Sequence, residues 1–269
     1  MNNESAYITV GNQQLHYLQW GSGSKLLLAF HGYGNDAAIF SPLKNYLASQ
    51  YTILSFDLPH HGNSKWDEEV LLTKKDIVDL ADKLKTKYKV DKLSLMGYSM
   101  GGRLCMSIIE AIPSVIDKVV LLAADGLTIN VYYYFLTRTW LGKKIFKNLL
   151  EKPALYFKLL DQLKKRKVIP ESRHKFVSYF LQSAQSRSFL LRVWMGMSDH
   201  ISRPAKIKAI IKKHAIPVYI IMGVYDKVMP PALGERFKDG LDSVQLLILE
   251  KGHRVFDSEN AAQIAGVLL

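Results

Sequence analysis

The chain has 269 residues, 48% of them hydrophobic and 22% charged, and a mean hydropathy of zero, which excludes disorder as the main state. No apolar run approaches the roughly 20 residues of a spanning helix, and one cysteine, Cys105, excludes both an internal disulfide framework and a thiolate-rich metal site. The net charge of +12 is local: residues 125–215 hold 19 Lys and Arg against 5 Asp and Glu, a net +14, and leave the remainder at −2.

Tyr7 to Val10 and Leu15 to Trp20 read as a hairpin around Gly11-Asn12. Leu26 to Phe30 is a continuous apolar run, as a strand buried on both faces requires, and ends in His31-Gly32-Tyr33-Gly34. A helix is predicted from about Asp36 to Ala48, then a strand, Thr52 to Phe56, running into Asp57-Leu58-Pro59-His60-His61-Gly62-Asn63-Ser64. Ile77, Leu80, Ala81 and Leu84 mark an amphipathic helix over Thr73 to Tyr88, with Thr73 as N-cap and Asp76 three positions on. Leu93 to Met96 is the next buried strand, followed by Gly97-Tyr98-Ser99-Met100-Gly101-Gly102 and a helix to about Ile112. Lys118 to Ala124 is another strand, ending at Asp125.

The alternation stops there. Residues 126–214 read as helical stretches rich in Lys, Tyr, Phe, Leu and Trp, without a strand. It resumes with Val218 to Met222, a helix near Ala232 to Lys238, the strand Val244 to Leu249 and a last helix from Ser258. Eight strands with intervening helices predict an α/β fold: a mostly parallel sheet covered on both faces. The core is expected over residues 1–125 and 215–269, with 126–214 inserted into it. The opening MNNESAYITV shows no basic stretch followed by an apolar one, so a cytoplasmic setting is expected.

Gly97-Tyr98-Ser99-Met100-Gly101 fits G-x-S-x-G between a buried strand and a helix. That junction holds a serine hydroxyl at the sheet edge, above the N–H groups of the new helix. A serine needs a base, and of eight histidines His253 is best placed, in Gly252-His253 just after the last strand. The base needs an acid; Asp226 follows the strand Val218 to Met222 on the same edge, and Asp125 is the competitor. Oxyanion donors are expected from the backbone N–H of Tyr33 and of Met100.

These motifs resemble the α/β-hydrolase superfamily in its esterase, lipase and carbon–carbon hydrolase branch. The resemblance rests on His31 to Gly34, Asp57 to Ser64, Gly97 to Gly102, Asp226 in G-x-x-D-x-x-x-P, and Gly252-His253. It implies the triad order Ser99, Asp226, His253, and a helical lid over residues 126–214. The turn from Asp57 departs from the family pattern by carrying His60 where glycine is usual. Serine at the elbow points away from haloalkane dehalogenases and epoxide hydrolases. Arg254 after His253, in place of tryptophan, lowers the carbon–carbon hydrolases.

The expected activity is hydrolysis of a carboxylic ester or thioester with an apolar acyl or aromatic part. Carbon–carbon hydrolase or lyase chemistry with the same triad is one alternative, and a non-catalytic ligand- or anionic-surface-binding protein is the other. No cofactor and no metal site is expected; Asp57 with His60 and His61 matches neither HxHxDH nor HExxH. Aromatics of the insertion, among them Tyr132, Tyr133, Trp140, Tyr156, Phe157 and Trp194, either line an apolar pocket or fix the lid helices to the core. Its cations, among them Lys143, Lys144, Lys164, Lys165, Arg166 and Lys167, form a solvated face or meet an acidic partner: an acyl carrier protein, a coenzyme A ester or an anionic lipid. No motif supports nucleic-acid binding.

Overall fold

A computed structural model describes residues 4–154, 158, 161, 162, 164 and 183–269. Tyr156, Phe157, Lys165, Arg166 and Lys167 lie outside the described residues. The sheet has eight strands: β1 Glu4–Val10, β2 Gln13–Trp20, β3 Lys25–Phe30, β4 Tyr51–Phe56, β5 Leu93–Tyr98, β6 Ile116–Leu122, β7 Val218–Gly223 and β8 Val244–Leu249. Their spatial order is β1-β2-β4-β3-β5-β6-β7-β8. β2 runs antiparallel to both neighbours, and every later pair is parallel.

The continuous apolar runs have a simple cause. β4 and β5 are buried at every position, because helices cover both faces of the sheet. On one face, Phe40, Leu43, Leu47, Phe256 and Ile264 pack against Leu27, Ile53, Met96 and Val120. On the other, α2 Lys74–Tyr88 and α3 Gly101–Ala111 pack together, and α3 also meets the helix Pro204–His214. α2 begins at a capping box: Asp76 N–H donates to Thr73 Oγ1 at 3.1 Å, and Thr73 N–H donates to Asp76 Oδ2 at 2.9 Å.

Two helices differ from the sequence reading. The segment expected as one helix from Asp36 is a 3-10 helix, Ala37–Leu43, followed by the single α-turn α1, Lys44–Leu47. Pro42 lies inside the first piece and has no N–H to extend an α-helical ladder. The last helix spans Ala261–Gly266 rather than starting at Ser258. Asp257 and Asn260 side chains capture the intervening N–H groups in a turn: Asp257 N–H donates to Asn260 Oδ1 and Glu259 N–H to Asp257 Oδ1.

The chain forms two compact units. One comprises Met1–Asp67, Leu72–Ile129 and Asp199–Leu269, and holds the sheet and the helix Pro204–His214. The other comprises Glu68–Leu71 and Asn130–Ser198. Its described helices are α4 Val131–Arg138, α5 Trp140–Glu151 and α6 Ala184–Gly196. Gly142 lets α5 approach the end of α4, since a Cβ there would stand 1.9 Å from the Phe135 carbonyl oxygen. Tyr133 and Phe146 pack on Trp194 of α6, and the Tyr133 hydroxyl donates to the Trp194 carbonyl at 2.9 Å. Among the described residues no helix is long and apolar enough to cross a membrane.

Candidate active site

β5 ends at Tyr98 and α3 begins at Gly101, leaving Ser99 and Met100 to turn the chain. Ser99 has a φ of +48°, the left-handed region, which costs a residue with a side chain about 1–3 kcal/mol. Three backbone bonds hold it there. Ser99 N–H donates to Leu122 O at 2.9 Å, while Ser99 O accepts from Gly102 N–H at 3.0 Å and from Asp125 N–H at 2.8 Å. Gly101 permits the close seat of the helix, for a Cβ there would lie 1.9 Å from Phe30 O.

The loops after β7 and β8 bring two further groups to this turn. His253 Nε2 lies 2.9 Å from Ser99 Oγ, and His253 Nδ1 lies 2.7 Å from Asp226 Oδ2. Asp226 Oδ1 accepts from the N–H groups of Val228 and Met229 at 2.7 and 2.9 Å, which aims the other oxygen at the ring. A carboxylate oxygen accepts, so Nδ1 carries the proton and Nε2 is left to accept from the serine hydroxyl. The Asp226 side chain is fully buried and that of His253 is 28% exposed, so the aspartate is shielded while the imidazole reaches solvent. Asp125, the competing acid, instead accepts from Arg103, with Nε at 2.7 Å and Nη2 also in contact.

The His31–Gly34 loop abuts the same serine. A Cβ on Gly32 would lie 3.0 Å from Ser99 Cβ, so only glycine fits there without displacing a neighbour. Gly34 N–H donates to His61 Nε2 at 3.1 Å, and Leu58 N–H donates to His31 Nε2 at 3.0 Å. Both rings therefore carry their proton on Nδ1, donated to Pro59 O at 2.8 Å and to Gly32 O at 2.7 Å respectively. Burial favours these neutral forms: it lowers His61 below its usual value and, with the neighbouring His61, lowers His31 to about 3.

Asp57 holds the turn that carries His61. Its carboxylate accepts from Ala37 N–H at 2.6 Å and Asn63 N–H at 2.7 Å, and pairs with His16 Nδ1 at 2.7 Å. His60, where the family pattern has glycine, keeps a left-handed φ of +67°. The turn thus retains a glycine-like backbone despite the side chain.

The motifs contain His61 and Tyr98 but assign neither a role in this region. Tyr98 is an unspecified position of the elbow pattern, yet its ring packs 5.5 Å from the His253 ring. Burial, and secondarily the Asp226 charge, push its hydroxyl up to about 12. Cys105, expected as a small buried apolar residue, is fully buried in α3, and burial pushes its thiol up.

A second set of the same three residue types joins β1, β2 and the turn after β4. Ser5 Oγ is 2.7 Å from His16 Nε2, and His16 Nδ1 is 2.7 Å from Asp57 Oδ2. Ser5 sits inside the regular strand β1, paired with Leu18, without a strained turn or a helix start beside it.

The chain matches the family described as "alpha/beta hydrolase fold" over residues 25–260. It is 24% identical over 261 residues to the "Uncharacterized hydrolase YugF" of Bacillus subtilis, covering 92% of this chain and 90% of that protein. A shorter match, 35% identical over 91 residues and 33% of each chain, is to the pimeloyl-[acyl-carrier protein] methyl ester esterase of Legionella pneumophila. Among solved structures, a thermophilic esterase from Thermogutta terrifontis superposes with a TM-score of 0.66 at 16% identity, over 98% of this chain and 96% of that one. The sheet order, the strained serine turn and the match over residues 25–260 establish that this chain belongs to the α/β-hydrolase fold family.

Proposed function

We propose that this protein is a serine hydrolase that cleaves a carboxylic ester or thioester through Ser99, His253 and Asp226. The observation that carries the reading is the unbroken relay of 2.9 Å from Ser99 Oγ to His253 Nε2 and 2.7 Å from His253 Nδ1 to Asp226 Oδ2, built on a strained turn.

In this reading Ser99 Oγ attacks the acyl carbon as its proton passes to His253 Nε2. Asp226 holds the imidazole in the required tautomer and offsets the positive charge that forms. The backbone N–H groups of Tyr33 and Met100, which follow Gly32 and Ser99 in the abutting loops, receive the oxyanion. His253 returns the proton to the leaving alkoxide or thiolate. Water then attacks the acyl-enzyme with His253 as base, releasing the acid and restoring Ser99. Within the inserted residues 126–214, the unit over residues 130–198 is read as the lid that selects the acyl part, since the helix Pro204–His214 belongs with the sheet. The name of one relative, a methyl ester esterase, supports an ester over other bonds.

The test is fluorophosphonate labelling followed by peptide mass spectrometry. The adduct is expected on the peptide containing Ser99 and absent from Ser99→Ala; labelling that survives this change refutes the assignment. A panel of p-nitrophenyl esters set against vinylogous diketones separates ester cleavage from carbon–carbon hydrolysis.

A further inference from the structure

We propose that the α4–α5 hairpin is a docking surface for an anionic lipid bilayer. The hairpin buries one side only. Tyr133 and Thr137 of α4, and Gly142, Phe146 and Leu150 of α5, face inward at helical spacing. The rest of its surface leaves large apolar groups in water: Val131 is 70% exposed, Tyr132 76%, Trp140 75% and Leu141 51%. Large apolar side chains left this exposed on one hairpin mark a surface that meets something.

The neighbouring charges say what. Residues 130–152 carry five cations, Arg138, Lys143, Lys144, Lys147 and Lys152, against one anion, Glu151. Lys144 lies over the Trp140 ring at 5.3 Å, so cation and indole share one face of α5. Tryptophan and tyrosine combine an apolar ring with one polar atom and favour the headgroup layer. Lysine reaches from the same depth to phosphate by extending its stem along the apolar surface. Exposed aromatic and aliphatic side chains beside cations suit a lipid interface, where the apolar groups enter the headgroup boundary and the cations meet anionic lipid. A folded acidic protein could match the charge, but it would bring no acyl layer to receive Tyr132, Trp140 and Leu141 together.

This inference is independent of the hydrolase reading, because a protein inactivated by Ser99→Ala keeps the hairpin. The experiment is sedimentation of the full chain with vesicles of phosphatidylcholine alone, and of phosphatidylcholine mixed with phosphatidylglycerol. Binding to the anionic vesicles is expected to exceed binding to the neutral ones by at least about tenfold and to fall with added salt. Lys143→Gln, Lys144→Gln and Lys147→Gln combined, and separately Tyr132→Ser with Trp140→Ser, should each reduce it by about tenfold or more. Circular dichroism and thermal melts of both variants, matching the parent, establish that the fold is kept. Should the serine variant unfold, Trp140→Phe decides: the blue shift of tryptophan emission on vesicle binding should largely vanish with that single change. No sedimentation with anionic vesicles overturns the proposal, as does equal binding by the parent and a folded variant. So does capture by an acidic carrier protein without lipid binding.

Discussion

Exchanging charge for shape at two aspartates separates the two candidate acids. Asp226→Asn keeps the side-chain outline, and its oxygen can still accept from Val228 and Met229, which donate at 2.7 and 2.9 Å. The amide then turns toward His253 Nδ1, where the carboxylate oxygen stood at 2.7 Å. An amide NH2 cannot accept, so the ring must move its proton to Nε2 and can no longer take one from Ser99. A misplaced tautomer of this kind lowers kcat by about 10⁴-fold, or about 5.5 kcal/mol of transition-state stabilisation. Asp125→Asn acts elsewhere. It removes the charge opposite Arg103, in a pair whose side chains are only 11% and 13% exposed, and leaves the backbone bond from Asp125 N–H to Ser99 O intact. Breaking such a pair costs about 3 kcal/mol of stability, a drop in Tm of roughly 5 °C for a chain of this size. The assay is initial-rate hydrolysis of a p-nitrophenyl ester beside a thermal melt of each variant. The expected outcome is opposed: Asp226→Asn melts near the parent and is nearly inactive, while Asp125→Asn melts early and turns over within about threefold of the parent. A folded Asp125→Asn protein that is inactive, beside an active Asp226→Asn, refutes the relay.

Ser99→Gly relieves the left-handed strain at φ +48° and should raise stability by about 1 kcal/mol while abolishing turnover; a lowered urea midpoint contradicts this. Fluorophosphonate should leave Ser5 unmodified in the Ser99→Ala protein, since its strand geometry provides no anion-stabilising turn; an adduct on the peptide containing Ser5 would count against that argument. Gly101→Ala should destabilise markedly, by about 3 kcal/mol, because its Cβ would overlap the Phe30 carbonyl at 1.9 Å; chemical denaturation reads the loss directly. Burial lowers His31 to about 3 and His200 to about 4 from an ordinary 6.5, so below that value the unfolded chain takes up protons that the native protein refuses. Stability should therefore be independent of these two groups above pH 6.5 and fall as pH drops toward 4, by roughly 1 kcal/mol per pH unit for each; a flat Tm across that window argues against it.

The fold was legible wherever burial dictates composition. β3, β4 and β5 are dominated by apolar residues because both faces are covered, and α2 shows its buried stripe together with its capping box. Boundaries were legible only where one local rule acts. Pro42 turned an expected α-helix into a 3-10 segment, and Asp257 with Asn260 delayed the last helix, because side chains and a missing donor compete with the helical ladder. The three candidate site residues could be named because each follows a recognisable strand at one sheet edge. The support given by His61 to Gly34 could not, for it joins residues 27 apart and depends on a turn whose path no local pattern specifies. Tyr98 was hidden for the same reason: its neighbour His253 lies far along the chain, and an aromatic residue at an unrestricted motif position carries no signal of what it touches.

The Ser5–His16–Asp57 set has a consequence for how active sites are searched for. A template made only of side-chain separations would return it beside Ser99, since the two sets share residue types, bonding order and nearly the same distances. The discriminating information lies in the main chain: one serine rests in a relaxed extended ladder, the other in a left-handed turn at a helix start. A matching scheme that added one dihedral angle to its three side chains would separate the two sets within this single molecule.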